Sequence, residues 1–330
     1  MEQSRPIIRL ATSNDADGIC SLLNRVAPQY DRKINFWVWI NRLLSEEKSI
    51  IAVAEFEGQI IGHYAIIPQK IIINNTEYRV GFGIHALIED DKKSLVAIYE
   101  ISGFAYKEAK KSGLKFVYGF PNQNYRLIQE KIERWKKVDL FKAYEIDIKD
   151  YSIESNSICH EISKLDTSFD AIFNVSKVLD SRNITSENSL KKSLNYYINR
   201  YLKHPHDLYE SYLVKNEQGK MACIFLKKYT DINGETKGHL IDYIKENEFN
   251  YNTLMNTSIS ILKELNTEVI SLWPINQKVK MFLDSKNVKQ NGFETFFAIK
   301  FLDKTFEKEH GENLLNIKNW TLNMGDSDAF

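Results

Sequence analysis

The sequence predicts an α/β protein, of the α+β kind with mixed sheets, made of two lobes that each carry a mixed β-sheet flanked by helices. Three observations predict it. Apolar residues at helical spacing alternate with β-rich runs over residues 1–150. A Ser/Asp/Asn-rich stretch of weak pattern then fills about 151–175. After it the succession restarts: Val269-Ile270-Ser271-Leu272-Trp273-Pro274 repeats Phe116-Val117-Tyr118-Gly119-Phe120-Pro121, and the helix before each run keeps the same offset. The reading is a first domain over 1–150 and a second, degenerate copy with a C-terminal tail over 151–330.

The elements follow in order. Ile7 to Ala11 reads as a short strand, and Thr12-Ser13-Asn14-Asp15 supplies capping residues for a helix carrying Ile19, Leu22, Leu23 and Val26 at helical spacing. Phe36 to Leu44 reads as a second helix, on which Trp37 and Trp39, two residues apart, cannot share a face. Ser49 to Phe56 and Gln59 to Ile73 are strands joined at Glu57-Gly58, and Asn74-Asn75 turns the chain into a third strand, Tyr78 to Ile88. Charged residues 89–93 end it. A helix runs from about Leu95 to Lys111 and stops at Ser112-Gly113; Leu114 to Phe120 is a continuous apolar strand; Pro121-Asn122-Gln123-Asn124 opens a helix to about Glu133. In the second half Ser211 to Lys215 and Lys220 to Tyr229 repeat the hairpin. Gly238 to Ile244 repeats the third strand, and Tyr251 to Leu265 the helix before the buried strand. The tail from Trp320 through Gly325-Asp326-Ser327-Asp328 reads as a frayed end, a substrate clasp being the alternative.

Composition narrows the function. With 43% hydrophobic and 27% charged residues, the 330-residue chain can bury two cores. Lys+Arg and Asp+Glu are equal at 44, which leaves no global field to hold a polyanion and disfavours nucleic acid as the main partner. The 17 Tyr and 18 Phe suit filled cores and sugar- or base-stacking surfaces alike. Cys20, Cys159 and Cys223 have neither metal nor disulfide spacing, which fits a reducing compartment. The N-terminus lacks a signal-like apolar run and no segment is long and apolar enough to span a membrane, so the expected location is cytoplasmic. There is no Gly-x-Ser-x-Gly elbow, Walker loop or zinc-spaced histidine pair, and His204-Pro205-His206 reads as a loop; no metal is expected.

Three stretches carry a resemblance: Ile8-Arg9-Leu10-Ala11 before a capped helix, Gly62-His63-Tyr64-Ala65-Ile66-Ile67-Pro68 on the long strand, and Tyr118-Gly119-Phe120-Pro121-Asn122-Gln123-Asn124. Together they resemble the GNAT superfamily of acyl-CoA N-acyltransferases, in particular a tandem, two-domain bacterial subgroup similar to sugar N-acyltransferases of surface-polysaccharide biosynthesis. The resemblance implies that the strand Ile84-His85-Ala86-Leu87-Ile88 borders a pantetheine arm through the backbone of Leu87 and Ile88. It implies that the next loop holds the pyrophosphate at a helix N-terminus. Here that loop departs from the family's glycine-rich pattern: Lys92, Lys93, Ser94, Val96 and Ala97 fall at those positions, with Leu95 between them. Asn124 would bond the pantetheine amides, with helix capping as its ordinary role.

Amine acylation needs a neutral amine, a polarised thioester carbonyl and a proton for the leaving thiolate. His85 is the first candidate to accept the amine's proton, and His63 on the neighbouring strand the second catalytic candidate; each could equally be a satisfied strand histidine. Trp37 and Asn122 are candidates for the acceptor pocket. Tyr125 lies a turn too early to match the family's usual tyrosine acid. The expected reaction moves an acyl group from acyl-CoA (acetyl-CoA or a related thioester) to the amine of an amino sugar, nucleotide-linked, by direct attack. Transfer to a peptide or cell-wall amine, or a catalytically silent binding protein, are the alternatives.

Overall fold

A computed structural model of the chain describes residues 5–28, 32–89, 94–153, 157–182, 188–206, 208–231 and 234–327, with the backbone alone at 94–96 and 124. The first half runs β1 (Ile7–Leu10), α1 (Ala16–Val26), α2 (Ile34–Val38) with a π-helical turn Trp39–Leu43, β2 (Ile50–Phe56), β3 (Gln59–Ile73), β4 (Thr76–Ile88), α3 (Ser94–Lys111), β5 (Phe116–Gly119), α4 (Gln123–Lys131), β6 (Lys136–Lys142) and β7 (Tyr144–Asp147). The second runs β8 (Glu161–Lys164), α5 (Phe169–Asp180), β9 (Asn188–Leu190), α6 (Leu194–Tyr197) with a π-helical turn Ile198–Leu202, β10 (Glu210–Lys215), β11 (Met221–Thr230) and β12 (Thr236–Lys245). It ends with α7 (Tyr251–Glu264), β13 (Val269–Leu272), α8 (Gln277–Ser285), β14 (Glu294–Phe301), α9 (Lys304–Leu314) and β15 (Trp320–Thr321).

These elements form two units, each discontinuous in sequence: Met1–Ile71, Thr76–Asp139 and Phe296–Asn316 make the first, and Ile72–Asn75, Leu140–Thr295 and Ile317–Phe330 the second. The first unit's sheet has strand order β1-β2-β3-β4-β5-β14-β6, and the second's β7-β13-β12-β11-β10-β8. In both, a crossover helix, α3 or α7, leads to a parallel step, β4 to β5 and β12 to β13. An antiparallel strand follows each step: β14 beside β5, with β6 beyond it, and β7 beside β13. That strand is exchanged, because β7 follows the first half's helices and β14 the second's.

Local chemistry explains the hairpins. Glu57 and Gly58, and again Asn74 and Asn75, take positive φ, the conformation that a two-residue hairpin loop needs. Gly113, at φ 88°, ends α3. The two sheets also share register: Gly81 pairs with Val117 and Gly238 with Ile270, at equivalent steps. Both units contain a short helix running into a π-helical turn, and there the sequence repeats, Trp39-Ile40-Asn41-Arg42 against Tyr197-Ile198-Asn199-Arg200.

Three expectations are corrected. The single helix over 36–44 is α2 and its π-helical turn, because Trp39, Ile40 and Asn41 all bury where regular helix would turn one of them outward. The stretch 151–175 holds β8 and the start of α5. All four residues of β8 are exposed, so no alternation marks it, and Phe169 and Phe173 point outward, 80% and 58% exposed, which blurs the stripe of α5. The tail does not fray through Ser327: Trp320, Leu322, Met324 and Ser327 are all buried in the second unit.

The tail is held by a buried ion cluster. Lys192 Nζ lies 2.7 Å from Asp242 and 2.6 Å from Asp326. Tyr201 donates to Asp242 at 2.8 Å, the Asn323 amide side chain to Asp242 at 2.7 Å, and Arg200 to the Ser327 carbonyl at 3.0 Å. Without the ammonium, two buried carboxylates would face each other. Lys192→Met is therefore expected to cost about 3–5 kcal/mol in urea unfolding followed by tryptophan fluorescence; a loss below about 1 kcal/mol would mean that solvent reaches the cluster.

Candidate functional site

In the first unit, β4 and β5 are paired at Gly81–Val117 and Phe82–Tyr118, and the ladder stops there. The separation coincides with a bend in β4. His85 takes φ 50°, a left-handed conformation that costs a non-glycine residue about 1–2 kcal/mol and persists only where its surroundings hold it. His63, on β3, holds it: its Nδ1 lies 3.0 Å from the His85 carbonyl oxygen. Past the bend β4 rejoins β3, the Glu89 amide donating to the Ile61 carbonyl at 2.7 Å. The strand is thus secured on one side and released on the other.

That bond fixes the imidazole. A carbonyl oxygen only accepts, so the proton sits on Nδ1 and Nε2 carries the lone pair. His63 is fully buried, and its Nε2 has no hydrogen-bond partner among the described residues. The His85 ring lies 6.2 Å from that of His63; a chain of contacts leads on from His85 to Phe36 (6.1 Å) and from Phe36 to Trp39 (5.7 Å), with the Arg32 guanidinium 5.6 Å over Phe36. Burial lowers His63 to about 4, partly offset by its bond to the His85 carbonyl. Burial, then the His63 ring and Arg32, lower His85 to about 3. Both rings are neutral near pH 7.

Tyr64, next to His63 on β3, belongs to a second constellation. Buried Glu133 accepts from Tyr106 and Tyr125 at 2.6 Å each and from Trp135 Nε1 at 2.9 Å. Tyr106 lies 3.4 Å from the Tyr64 hydroxyl. Burial and then the Glu133 carboxylate push Tyr125 far above the ordinary phenol range, so it is a poor acid as it stands.

His63 and His85 are brought together. Leu87 and Ile88 lie on β4 beyond the bend, and Ala97 is buried in α3. Ser94 and Val96 are in the first turn of α3, with side chains outside the described residues, as is that of Asn124 in α4; Lys92 and Lys93 lie outside them altogether. The Asn122 side chain caps α4, accepting from the Tyr125 amide at 2.9 Å. Trp37 is buried beneath Arg42, 5.1 Å from its ring. Sequence reasoning missed Arg32, Phe36, Trp39, Tyr64 and Glu133. The i, i+3 spacing of Phe36 and Trp39 was a readable sign of a shared face.

The second unit fills the corresponding place. Asp242 stands four residues past Gly238, as His85 stands four past Gly81, and it is covered by Lys192, Tyr201 and Asn323. The loop after β12, Glu246-Asn247-Glu248, puts carboxylates where a pyrophosphate would need cations. The Asn250 side chain already accepts from the first amides of α7. Among the described residues no group of three or more His, Cys, Asp or Glu side chains could hold a metal ion, and no helix is long and apolar enough to cross a membrane.

Residues 7–129, from β1 through nearly all of α4, match the model of the acetyltransferase (GNAT) domain family. Comparison with curated proteins gives no match. Among solved structures the chain is similar to a GCN5-related N-acetyltransferase from Anabaena variabilis ATCC 29413, with TM-score 0.66 and 11% identity over 91% of this chain and 74% of that one. It is similar also to Saccharomyces cerevisiae N-myristoyltransferase with bound myristoyl-CoA, with TM-score 0.58 and 10% identity over 91% of this chain and 80% of that one. At such identities the likeness establishes the fold alone, a mixed α/β chain of two units with GNAT-like neighbours.

A histidine kept neutral by the fold stabilises it fully above its unfolded value of 6.5 and loses that contribution as pH falls toward the folded value. The midpoint temperature of the wild type is therefore expected to fall between pH 6.5 and about 4, and to fall less in His63→Gln. Parallel curves for the two proteins in differential scanning fluorimetry would show that His63 titrates freely.

Proposed function

We propose that the protein is an acyl-CoA-dependent N-acyltransferase whose donor lies in the fork between β4 and β5 and whose acceptor amine meets His63. The observation that carries this reading is the buried, unpartnered Nε2 of His63 beside a strand bent away from its neighbour. A lone pair so placed costs stability unless something donates to it, and an amine N–H does.

In this reading the pantetheine arm pairs with the freed edge of β4 at Leu87 and Ile88. The pyrophosphate sits at the start of α3 among Lys92, Lys93, Ser94, Val96 and Ala97, and Asn124 bonds the arm's amides. The neutral amine donates to His63 Nε2, which turns its own lone pair toward the thioester carbonyl. The nitrogen–carbon bond forms, the carbon–sulfur bond breaks, and the proton lost by nitrogen ends on the coenzyme sulfur. With both imidazoles so weakly basic, His63 orients the amine more than it stores a proton. His85 supplies the carbonyl that sets the His63 tautomer. The acceptor is the amine of an amino sugar, nucleotide-linked: the half-buried ring of Phe36 suits a sugar ring, and Arg32 suits a phosphate. Trp37 and Asn122 complete the acceptor side.

Calorimetric titration with CoA and acetyl-CoA is expected to give saturable heat; silence at millimolar ligand would favour a silent binding protein. A thiol-release assay over amino-sugar nucleotides and short peptides is expected to respond to the sugars, and a response to peptides alone would move the acceptor to a peptide amine. His63→Phe, which removes the lone pair and keeps a ring, is expected to lower kcat on the order of 10- to 100-fold. The acid limb of kcat/KM should follow the pKa of the acceptor amine, whereas a limb near 6.5 common to all acceptors would restore a histidine base.

A further inference from the structure

The parallel strands of the second unit, β12 and β13, end where α7 and α8 begin, the side of an α/β sheet at which ligands gather. Two ammonium groups meet there on one ring. Lys245 Nζ, from the last residue of β12, lies 4.7 Å from the centre of the Tyr251 ring, and Lys278 Nζ, from the first turn of α8, lies 5.2 Å from it. Neighbours hold the ring in place. Tyr251 packs edge-on to Tyr243 at 6.1 Å, and the Tyr243 hydroxyl accepts from the Asn276 side-chain amide at 2.9 Å. Lys278 is exposed and Lys245 half-buried, so solvent reaches the pair.

No carboxylate meets these cations. Lys245 donates to the Glu246 and Asn247 carbonyls at 3.0 Å each, which leaves one of its three N–H donors. Neither lysine forms an ion pair with a carboxylate among the described residues. The acids of the loop after β12 are turned to other partners: Glu246 accepts from the Met221 amide at 3.1 Å, and Glu248 pairs with Lys220 at 2.5 Å. Burial, and then Lys278, lower the Lys245 ammonium, so the two cations repel each other. We infer that Lys245 and Lys278 form a binding site on the second unit for a single phosphate group, free or as a monoester. Ammonium groups suit it, because they act as point charges toward a phosphate, whereas the flat carboxylate is matched better by the arginine fork. One phosphate offsets both cations and accepts the remaining Lys245 donor. The inference goes beyond the donor and acceptor reading above and stands independently of it.

The test titrates the intact protein calorimetrically with inorganic phosphate, glycerol 3-phosphate and succinate. The phosphates are expected to give saturable heat that weakens as salt rises, the tighter of the two naming the source, and succinate to bind roughly tenfold more weakly or worse. Lys278→Ala changes an exposed side chain and leaves the core alone. It is expected to weaken phosphate on the order of tenfold, the loss of one charge-assisted bond, and Lys245→Met to do the same. No heat from either phosphate at millimolar concentration would overturn the inference. So would unchanged phosphate affinity in a folded Lys278→Ala protein, which would move the anion to another part of the chain. Succinate bound as tightly as phosphate would overturn the assignment to phosphate.

Discussion

The hydrogen bond from His63 to the carbonyl of His85 is the contact on which the first unit's site depends. A central strand that leaves its parallel neighbour gives up ladder bonds and, at His85, takes an unfavourable backbone conformation. The side chain of the adjacent strand compensates by donating to the exposed carbonyl. One proton on one ring nitrogen therefore does three things. It stabilises the bend, keeps the strand edge beyond it apart from β5, and leaves the opposite nitrogen as a buried acceptor without a partner among the described residues.

The second unit solves the same problem the other way. It repeats the strand order and the glycine register, yet carboxylate Asp242 replaces the histidine, and Lys192, Asn323 and Asp326 close over it. Polar groups that partner one another rigidify a core, whereas a buried acceptor without a partner is costly. At this position the second unit holds its own tail, and the acidic loop after β12 opposes the charge that a pyrophosphate carries.

Much of the fold was legible in the sequence, because it rested on local chemistry. Turns at Glu57-Gly58 and Asn74-Asn75, the stop at Gly113 and the apolar runs of β5 and β13 declare themselves within a few residues. What stayed hidden was non-local or unpatterned. Nothing in the residues of β7 or β14 states which sheet they join, and fully exposed β8 offers no alternation. The site followed the same rule. His63 and His85 could be named from strand positions, but their bond depends on a bend no propensity encodes. Phe36 and Trp39 were passed over for Trp37, although their i, i+3 spacing already marked a shared face. Glu133 reads as an ordinary helix-end glutamate until Tyr106, Tyr125 and Trp135 are seen around it.

The most direct measurement is hydrogen–deuterium exchange along β4 and β12 in the same protein, with and without acetyl-CoA. If the freed edge of β4 receives the donor, amides within residues 84–88 gain protection while those of 241–245 in β12 keep their exchange rates. Protection confined to β12, or none in either strand at saturating ligand, would contradict the account.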